Sequence, residues 1–232
     1  MGKYVILSDI HANLSALESV CDDFTNRYDV EGIFVLGDIV NYGMRPNDVI
    51  RFLKSYNEKI IVNLFGNHEK AFFDGDISRF STERGKRLLS YTKSILTEES
   101  ASYISSEMIA DGMCEINIDG KKILAVHGCI TNIFWGKMNE TEMRQDIYAK
   151  YDFVLSGHSH IPHLIEKYYY AESLKYRNRK RTIFINPGSV GQPRNHNPKA
   201  QYVVIDFLNE EIHFNSVGYD IALEQALYPD YL

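Results

Sequence analysis

The sequence has few cysteines, no paired cysteine motif and no long apolar run. Its three cysteines, Cys21, Cys114 and Cys129, are odd in number and irregularly spaced, which predicts reduced thiols and no disulfide framework. No apolar stretch approaches the length that spans a bilayer, and the first residues show no secretory signal pattern. We therefore expect a cytoplasmic protein that makes no membrane contact.

An excess of basic side chains is also missing. The chain of 232 residues has 25 Lys and Arg against 31 Asp and Glu, which gives a formal net charge of -6. An acidic chain repels polyanions, which disfavours nucleic acid as a partner without excluding it. The basic segment from Lys175 to Arg181, which follows three tyrosines, is an exception. For this segment we favour a solvated hairpin tip over a nucleic-acid contact, and its role stays open.

The length suggests a single α/β domain over residues 1–232. In the first third of the chain, three short apolar runs alternate with two stretches of helical periodicity. This pattern predicts parallel strands covered by helices. The predicted strands are residues 4–8, 33–36 and 60–65, and the helices follow residue 13 and begin at Pro46.

The rest of the chain is predicted to be helical first and rich in hairpins afterwards. Residues 76–106 are charged and mostly helical in pattern, and residues 140–150 are predicted as a short helix. Further strands are predicted at residues 113–118, 123–126, 153–156, 182–185, 202–207 and 212–217, with Asp119-Gly120 as a hairpin turn. The sequence contains no internal repeat and no low-complexity tract.

Polar clusters follow the predicted strands at five points. They supply two carboxylates, one amide and four imidazoles, from Asp9, His11, Asp38, Asn67, His127, His158 and His160. Since ligands bind beyond the carboxyl ends of the strands in open α/β sheets, we expect these side chains to converge. Mixed oxygen and nitrogen donors suit Mn, Fe, Co, Ni or Zn, and the absence of thiolates argues against a closed structural zinc site. Two such ions would leave a net positive centre that attracts phosphate.

In their order, these clusters resemble the signature of the calcineurin-like metallophosphoesterase family, which is D-x-H, GD, GNH followed by D or E, H, and GH-x-H. The sequence has DIH, GD, GNHE, VHG and GHSH between residues 9 and 160. A further stretch, NPGSVGQPR at residues 186–194, is similar to a branch of small single-domain bacterial and archaeal members. Five motifs in order are far more specific than any one of them. The resemblance implies a four-layer α-β-β-α sandwich of two mixed sheets flanked by helices.

The same resemblance implies a dinuclear metal centre in which a metal-bridging hydroxide attacks the phosphorus of a phosphate ester. One divalent ion would be held by Asp9, His11, Asp38 and His160. The second ion would share Asp38 and add Asn67, His127 and His158. His68 would be the catalytic residue that faces the substrate and donates a proton or a hydrogen bond to the leaving oxygen.

Two positions depart from related enzymes of this family. The protein serine/threonine phosphatases and the dinucleoside tetraphosphate hydrolases share GD-x-x-x-RG, in which the arginine binds phosphate. Tyr42 stands at the place of that arginine, and Asn41 stands where the protein phosphatases have an aspartate that orients the catalytic histidine. We expect Asn41 to hydrogen-bond His68, and Arg45 or Arg194 to contact the phosphate instead. Asn41, Arg45 and Arg194 are thus our candidate substrate-binding residues. The missing arginine favours a monoanionic diester over a dianionic monoester.

Several functions stay open within this resemblance. Hydrolysis of a small phosphodiester is our first interpretation, and the alternatives are a phosphomonoesterase, a nucleotide or protein phosphatase, or a nuclease. A non-catalytic scaffold of the same fold is least favoured because the ligand motifs and His68 are intact. Phe134 and Trp135 are equally consistent with capping a substrate cleft and with packing their loop against the body. The sequence does not specify the substrate, the metal or the oligomeric state.

Overall fold

The structure is a computed structural model that describes residues 2–80, 82–170, 172 and 180–229. In chain order, its strands are β1 (Lys3–Leu7), β2 (Val30–Val35), β3 (Ile60–Asn63), β4 (Met113–Ile118), β5 (Lys121–Val126), β6 (Phe153–Ser156), β7 (His163–Tyr168), β8 (Arg181–Asn186), β9 (Ala200–Asp206) and β10 (Glu211–Val217). The helices are α1 (Leu14–Arg27), α2 (Pro46–Lys54), α3 (Asn67–Asp74), α4 (Glu83–Ile95), α5 (Glu98–Glu107), α6 (Glu140–Met143) and α7 (Ile221–Ala226).

The strands form two sheets of five. The first sheet has the order β10-β9-β1-β2-β3, in which β1, β2 and β3 are parallel and β9 runs antiparallel to β1. The second sheet has the order β4-β5-β6-β8-β7, in which β5, β6 and β8 are parallel and the two edge strands are antiparallel. Two mixed sheets flanked by helices confirm the predicted fold class.

The inner faces of the two sheets share one apolar core. Ile6 and Phe34 of the first sheet belong to the same buried cluster as Phe153 and Ile185 of the second. Helices α1 and α2 cover the outer face of the first sheet through a separate buried cluster. Because the central strands are buried on both faces, they are continuous apolar runs in the sequence, and this is why the sequence predicts them well.

One predicted helix is wrong. The helix expected over residues 140–150 is only the short α6, followed by one turn of 3-10 helix at Asp146–Tyr148. Glu142 is buried, and its carboxylate accepts hydrogen bonds from the hydroxyls of Tyr148 and Thr131, at 2.7 Å each. These tertiary contacts hold the segment in tight turns against its helical pattern.

The structure also adds elements that the sequence pattern does not predict, namely α3, β7 and α7. Of the basic segment from Lys175 to Arg181, residues 175–179 lie outside the described residues. Arg181 begins β8 and pairs with Glu210 and Glu166. Within the described ranges, no helix is both long enough and apolar enough to cross a membrane.

Candidate metal centre and substrate cleft

The seven predicted ligands all lie just beyond the carboxyl ends of parallel strands. The segments after β1, β2 and β3 supply four of them from the first sheet, and those after β5 and β6 supply three from the second: Asp9, His11, Asp38 and Asn67, then His127, His158 and His160. Because the sheets pack face to face, their carboxyl edges meet, and the side chains converge on one buried region. All seven are buried except His158, which is partly buried.

The loops that carry these side chains are tightly bent. Five of the seven residues have positive φ, between 51° and 61°: Asp9, His11, Asp38, His158 and His160. This left-handed region is sparsely populated by residues other than glycine, and such conformations cluster at functional sites. Gly66 lets two loops touch, because a Cβ atom there would lie 2.1 Å from Asp38 Oδ1.

Four side chains form the first half of the cluster. Asp9 Oδ1 lies 3.2 Å from His160 Nε2, and His160 Nε2 lies 3.1 Å from His11 Nε2. His11 Nε2 is 3.9 Å from Asp38 Oδ2. One donor atom from each of these four residues lies within 4.8 Å of the others.

The second half of the cluster shares Asp38. Its Oδ2 lies 3.3 Å from His127 Nε2, and Asn67 Oδ1 lies 3.1 Å from the same nitrogen. Asn67 Oδ1 is also 2.9 Å from His158 Nδ1. Asp38, His127 and His158 again offer donor atoms within 4.8 Å of one another. The structure thus groups the side chains into the two sets that the resemblance implies, with Asp38 in both.

The chemistry of the donor atoms fits a cation. Asp9 Oδ1 and Asp38 Oδ2 are buried without a hydrogen-bond partner among the described residues, and a buried, unpaired carboxylate oxygen is costly. Main-chain carbonyl groups fix three of the imidazoles through the ring nitrogen that points away from the centre. Nδ1 of His11, His127 and His160 lies 3.2, 2.7 and 2.6 Å, respectively, from a carbonyl oxygen. A carbonyl only accepts, so each Nδ1 carries a proton and Nε2 is the nitrogen that faces the centre, as in metal-bound histidines.

The carboxyl groups of the cluster are ionised, and the neighbouring histidines stabilise their negative charge. Burial opposes ionisation, yet the neighbouring histidines hold the pKa of Asp38 well below its usual range and lower that of Asp9 to about 2. Burial lowers the pKa of His127, but Asp38 more than offsets this and raises it to about 9. A proton on His127 therefore balances the Asp38 carboxylate where a metal ion would do so.

The sequence analysis missed one buried residue that organises the centre, Glu69. Its carboxylate accepts hydrogen bonds of 2.8–3.1 Å from four main-chain N–H groups, those of Gly66, Asp38, Ile39 and Val40. It therefore ties the loop after β2 to the loop after β3. Burial and Asp38 raise the pKa of Glu69 to about 7, against the effect of these hydrogen bonds. Its bond to the N–H of Gly66, the residue before α3, is the half of a capping box that a glycine can make, and without a Ser or Thr at position 66 the sequence does not signal it.

His68 lies beside the cluster, and Asn41 fixes its proton. The main-chain N–H of Tyr42 donates to Asn41 Oδ1 at 2.7 Å, which leaves the Asn41 amide group facing His68 Nδ1 at 2.6 Å. Because this amide only donates, Nδ1 of His68 accepts and Nε2 carries the proton. Burial lowers the pKa of His68 to about 4 in spite of Asp38. His68 is therefore a neutral imidazole with its N–H at Nε2, 3.9 Å from Asp38 Oδ2.

A cleft of about 430 Å³ opens next to the cluster, and Asp38, Asn67, His68, His158 and His160 lie in its wall. This volume falls within the range of pockets for small ligands.

Two of the residues that the sequence left open line this cleft, and two do not. Arg194 and Trp135 both line it. Phe134 instead packs against the core of the first sheet. Arg45, expected at the phosphate, pairs with Glu224 and the hydroxyl of Ser15 and is not part of the lining. Its guanidinium is used to attach the segment of α7 to the start of α1.

Comparison with known proteins agrees with this geometry. Residues 3–210 match the calcineurin-like phosphoesterase superfamily domain. An uncharacterized protein of Methanocaldococcus jannaschii is 31% identical over 219 residues, which cover 93% of this chain and 87% of that protein. A metallophosphoesterase from Sphaerobacter thermophilus is 27% identical with a TM-score of 0.75, over 99% of this chain and 96% of that one.

A hypothetical protein from Pyrococcus horikoshii OT3 has the same fold, with a TM-score of 0.79 at 22% identity over 97% of this chain and 92% of that one. The domain match extends over most of the chain, and it contains every residue of the candidate metal centre. The chain therefore belongs to the calcineurin-like phosphoesterase superfamily.

Proposed function

We propose that this protein hydrolyses phosphate esters, with phosphodiesters preferred, and that it uses two divalent metal ions held by the seven converging side chains. The observation that carries the proposal is the convergence of these oxygen and nitrogen donors in one buried region, in two sets that share Asp38. The mixed oxygen and nitrogen donors suit Mn, Fe, Co, Ni or Zn. When bound, such ions polarise phosphoryl oxygens and lower the pKa of a coordinated water.

The side chains of the centre have separate tasks. Asp38 belongs to both ligand sets, so its carboxylate would be a ligand common to the two ions. The carbonyl groups behind His11, His127 and His160 hold these rings in the tautomer that leaves Nε2 free. His68, with its N–H at Nε2, donates a hydrogen bond to the phosphate or to the leaving oxygen.

The absence of an arginine at position 42 does not by itself explain a preference for diesters. Arg84 and Arg194 line the cleft together with Tyr42, so the cleft contains arginine side chains that can bind phosphate. The size of the cleft supports a diester instead, because it has room for a substituent on each side of the phosphate. A phosphomonoesterase is the second candidate, since two arginines beside Tyr42 also suit a dianionic phosphate.

The expected partner is a small phosphate ester. The free thiols of Cys21, Cys114 and Cys129 support a reducing, cytoplasmic setting for the reaction.

The test compares a diester and a monoester that release the same leaving group. Protein stripped of metal with a chelator and reloaded with Mn²⁺ is assayed with bis(p-nitrophenyl) phosphate and with p-nitrophenyl phosphate. We expect no activity without metal, and a higher kcat/KM for the diester. Asp38→Asn should lower kcat/KM by roughly 10³. The control Asp48→Asn, at a partly buried residue that pairs with Arg51 away from the site, should leave it unchanged. A strong monoester preference contradicts the diester assignment, and full activity in Asp38→Asn contradicts the metal mechanism.

A further inference from the structure

Four cations line the cleft beside the metal centre, and none of them forms a salt bridge with a described carboxylate. Arg79, Arg84, Lys137 and Arg194 all line it. Among the described residues, no carboxylate lies within salt-bridge distance of any of the four, although many other cations of the chain are paired. Lys86, on the same helix as Arg84, illustrates the contrast because it pairs with Glu83 at 2.7 Å.

The positive charge of these cations is larger than the single negative charge of a phosphodiester. Among the described residues of the lining, Asp38 is the single carboxylate, and it belongs to the metal centre. A diester carries one negative charge, which the metal ions would already attract. Four unpaired cations in one cleft of an otherwise acidic chain therefore indicate a ligand with further negative charge.

Two of the cations lie on the Tyr42 side of the cleft. The Tyr42 ring lies 4.8 Å from the rings of His11 and His68. Arg194 donates to Gln192 Oε1 at 2.9 Å and also contacts the Tyr42 hydroxyl, and the Arg84 guanidinium lies 5.6 Å from the ring of Tyr228. The hydroxyl of Tyr228 donates to the carbonyl of Tyr42 at 2.8 Å, so these groups form one continuous wall next to the metal centre.

The other side of the cleft is aromatic. The ring of His68 contacts Phe80 edge to face at 4.9 Å, and Phe80 contacts Trp135 in the same way at 5.5 Å. Trp135 is only partly buried, and its ring lies 6.3 Å from that of His158. An indole at the edge of a basic cleft is a platform on which a nucleobase stacks.

We propose that this cleft is a nucleotide subsite. It holds a nucleoside whose base stacks on Trp135. The nucleoside carries a second phosphate in addition to the scissile one, and Arg84 and Arg194 bind this second phosphate. This inference rests on the proposed function, because the scissile phosphate must lie at the metal centre. A phosphopeptide would also bring negative charge, but the aromatic wall favours a flat base over a peptide.

The first experiment uses three diesters with the same leaving group, so that differences in kcat/KM report the rest of the substrate. They are bis(p-nitrophenyl) phosphate, thymidine 5′-(p-nitrophenyl phosphate), and the same ester with a 3′-phosphate. In each, water displaces p-nitrophenolate at phosphorus. We expect kcat/KM of the Mn²⁺-loaded protein to rise about tenfold at each step of the series.

The variants separate the base from the second phosphate. Arg84→Ala should remove only the gain from the 3′-phosphate, and Trp135→Ala only the gain from the nucleoside. Arg87→Ala is the matched control, because Arg87 lies on the same helix but lines a different depression, and it should change neither gain. Equal kcat/KM for all three diesters, or gains that survive both alanine variants, would overturn the subsite.

A binding measurement separates this inference from the proposed function. Thymidine 3′,5′-bisphosphate is titrated into the Mn²⁺-loaded protein by calorimetry. Binding that weakens about tenfold in Arg84→Ala but not in Arg87→Ala supports the subsite even if no ester is hydrolysed. Hydrolysis of simple diesters without any binding of the bisphosphate refutes the subsite and leaves the phosphoesterase intact. Preferential turnover of a phosphopeptide over the thymidine esters also refutes it.

Discussion

Replacing Glu69 with glutamine tests how the metal-centre loops are held together. The carboxylate is fully buried and accepts four main-chain hydrogen bonds, two on each oxygen. Glutamine has nearly the same shape, but its amide nitrogen donates and cannot accept. Glu69→Gln therefore leaves two main-chain N–H groups facing another donor, either those of Asp38 and Gly66 or those of Ile39 and Val40.

The cost follows from these two lost acceptors. Two buried donors without a partner cost about 2–6 kcal/mol. Glutamine also removes a buried charge beside Asp38, and the raised pKa of Glu69 means that this charge costs the folded protein roughly 3 kcal/mol at pH 8, which offsets part of the loss. We therefore expect a net loss of about 1–3 kcal/mol of unfolding free energy and a Tm lower by roughly 5 °C. The measurement belongs at pH 8, where the Glu69 carboxyl group, with its pKa raised to about 7, is ionised in the folded protein.

The assay is urea unfolding in the presence of a chelator, so that metal binding does not contribute to the stability. Glu83→Gln is the control, because Glu83 is exposed and pairs with Lys86 at the surface, where an ion pair adds little to stability. The dependence on urea concentration should be unchanged, which indicates that both variants unfold from the same compact state. A Glu69→Gln protein as stable as the control would refute the role that the hydrogen bonds assign to Glu69.

Three further outcomes follow from the site. Because the pKa of His127 is raised to about 9, the metal-free protein carries its proton at pH 7, and Mn²⁺ binding should release about one proton. Calorimetry in buffers of different ionisation enthalpy measures this release, and identical heats would exclude it. Asn41→Asp should raise the pKa of His68 from about 4 by about 1 unit or more, which NMR titration of its imidazole measures; an unshifted pKa would argue against the Asn41–His68 contact. Arg45→Ala should lower stability by about 1 kcal/mol and leave kcat/KM unchanged. Arg194→Ala should lower kcat/KM about tenfold for the thymidine ester that carries a 3′-phosphate and leave that for bis(p-nitrophenyl) phosphate unchanged. Urea unfolding and steady-state kinetics measure these effects, and the reverse pattern would contradict both roles.

The sequence predicts the parts of the molecule that depend on short patterns. Apolar runs that end in polar residues locate the central strands, and the order of the polar clusters predicts which side chains meet. The fit is good because residues such as Asp9 and Asp38 directly follow their strands, so the topology of the sheet alone brings them together.

The sequence does not predict the parts of the molecule that depend on tertiary contacts. The helix predicted at residues 140–150 fails because Glu142 is buried and binds Tyr148. Arg84 and Trp135 reach the cleft through the placement of α4 and of the loop after β5, which no local pattern describes. Arg45 forms an ion pair with Glu224, which is 179 positions away in the sequence. Glu224 lies on α7, a helix that the sequence pattern does not predict.

The most direct measurement of the proposed metal centre is anomalous diffraction from crystals of the protein loaded with Mn²⁺. Two peaks should lie on either side of the Asp38 carboxylate, one next to His11 and His160 and the other next to Asn67 and His127. A crystal with no peak within coordination distance of Asp38, at saturating Mn²⁺, would contradict the dinuclear centre.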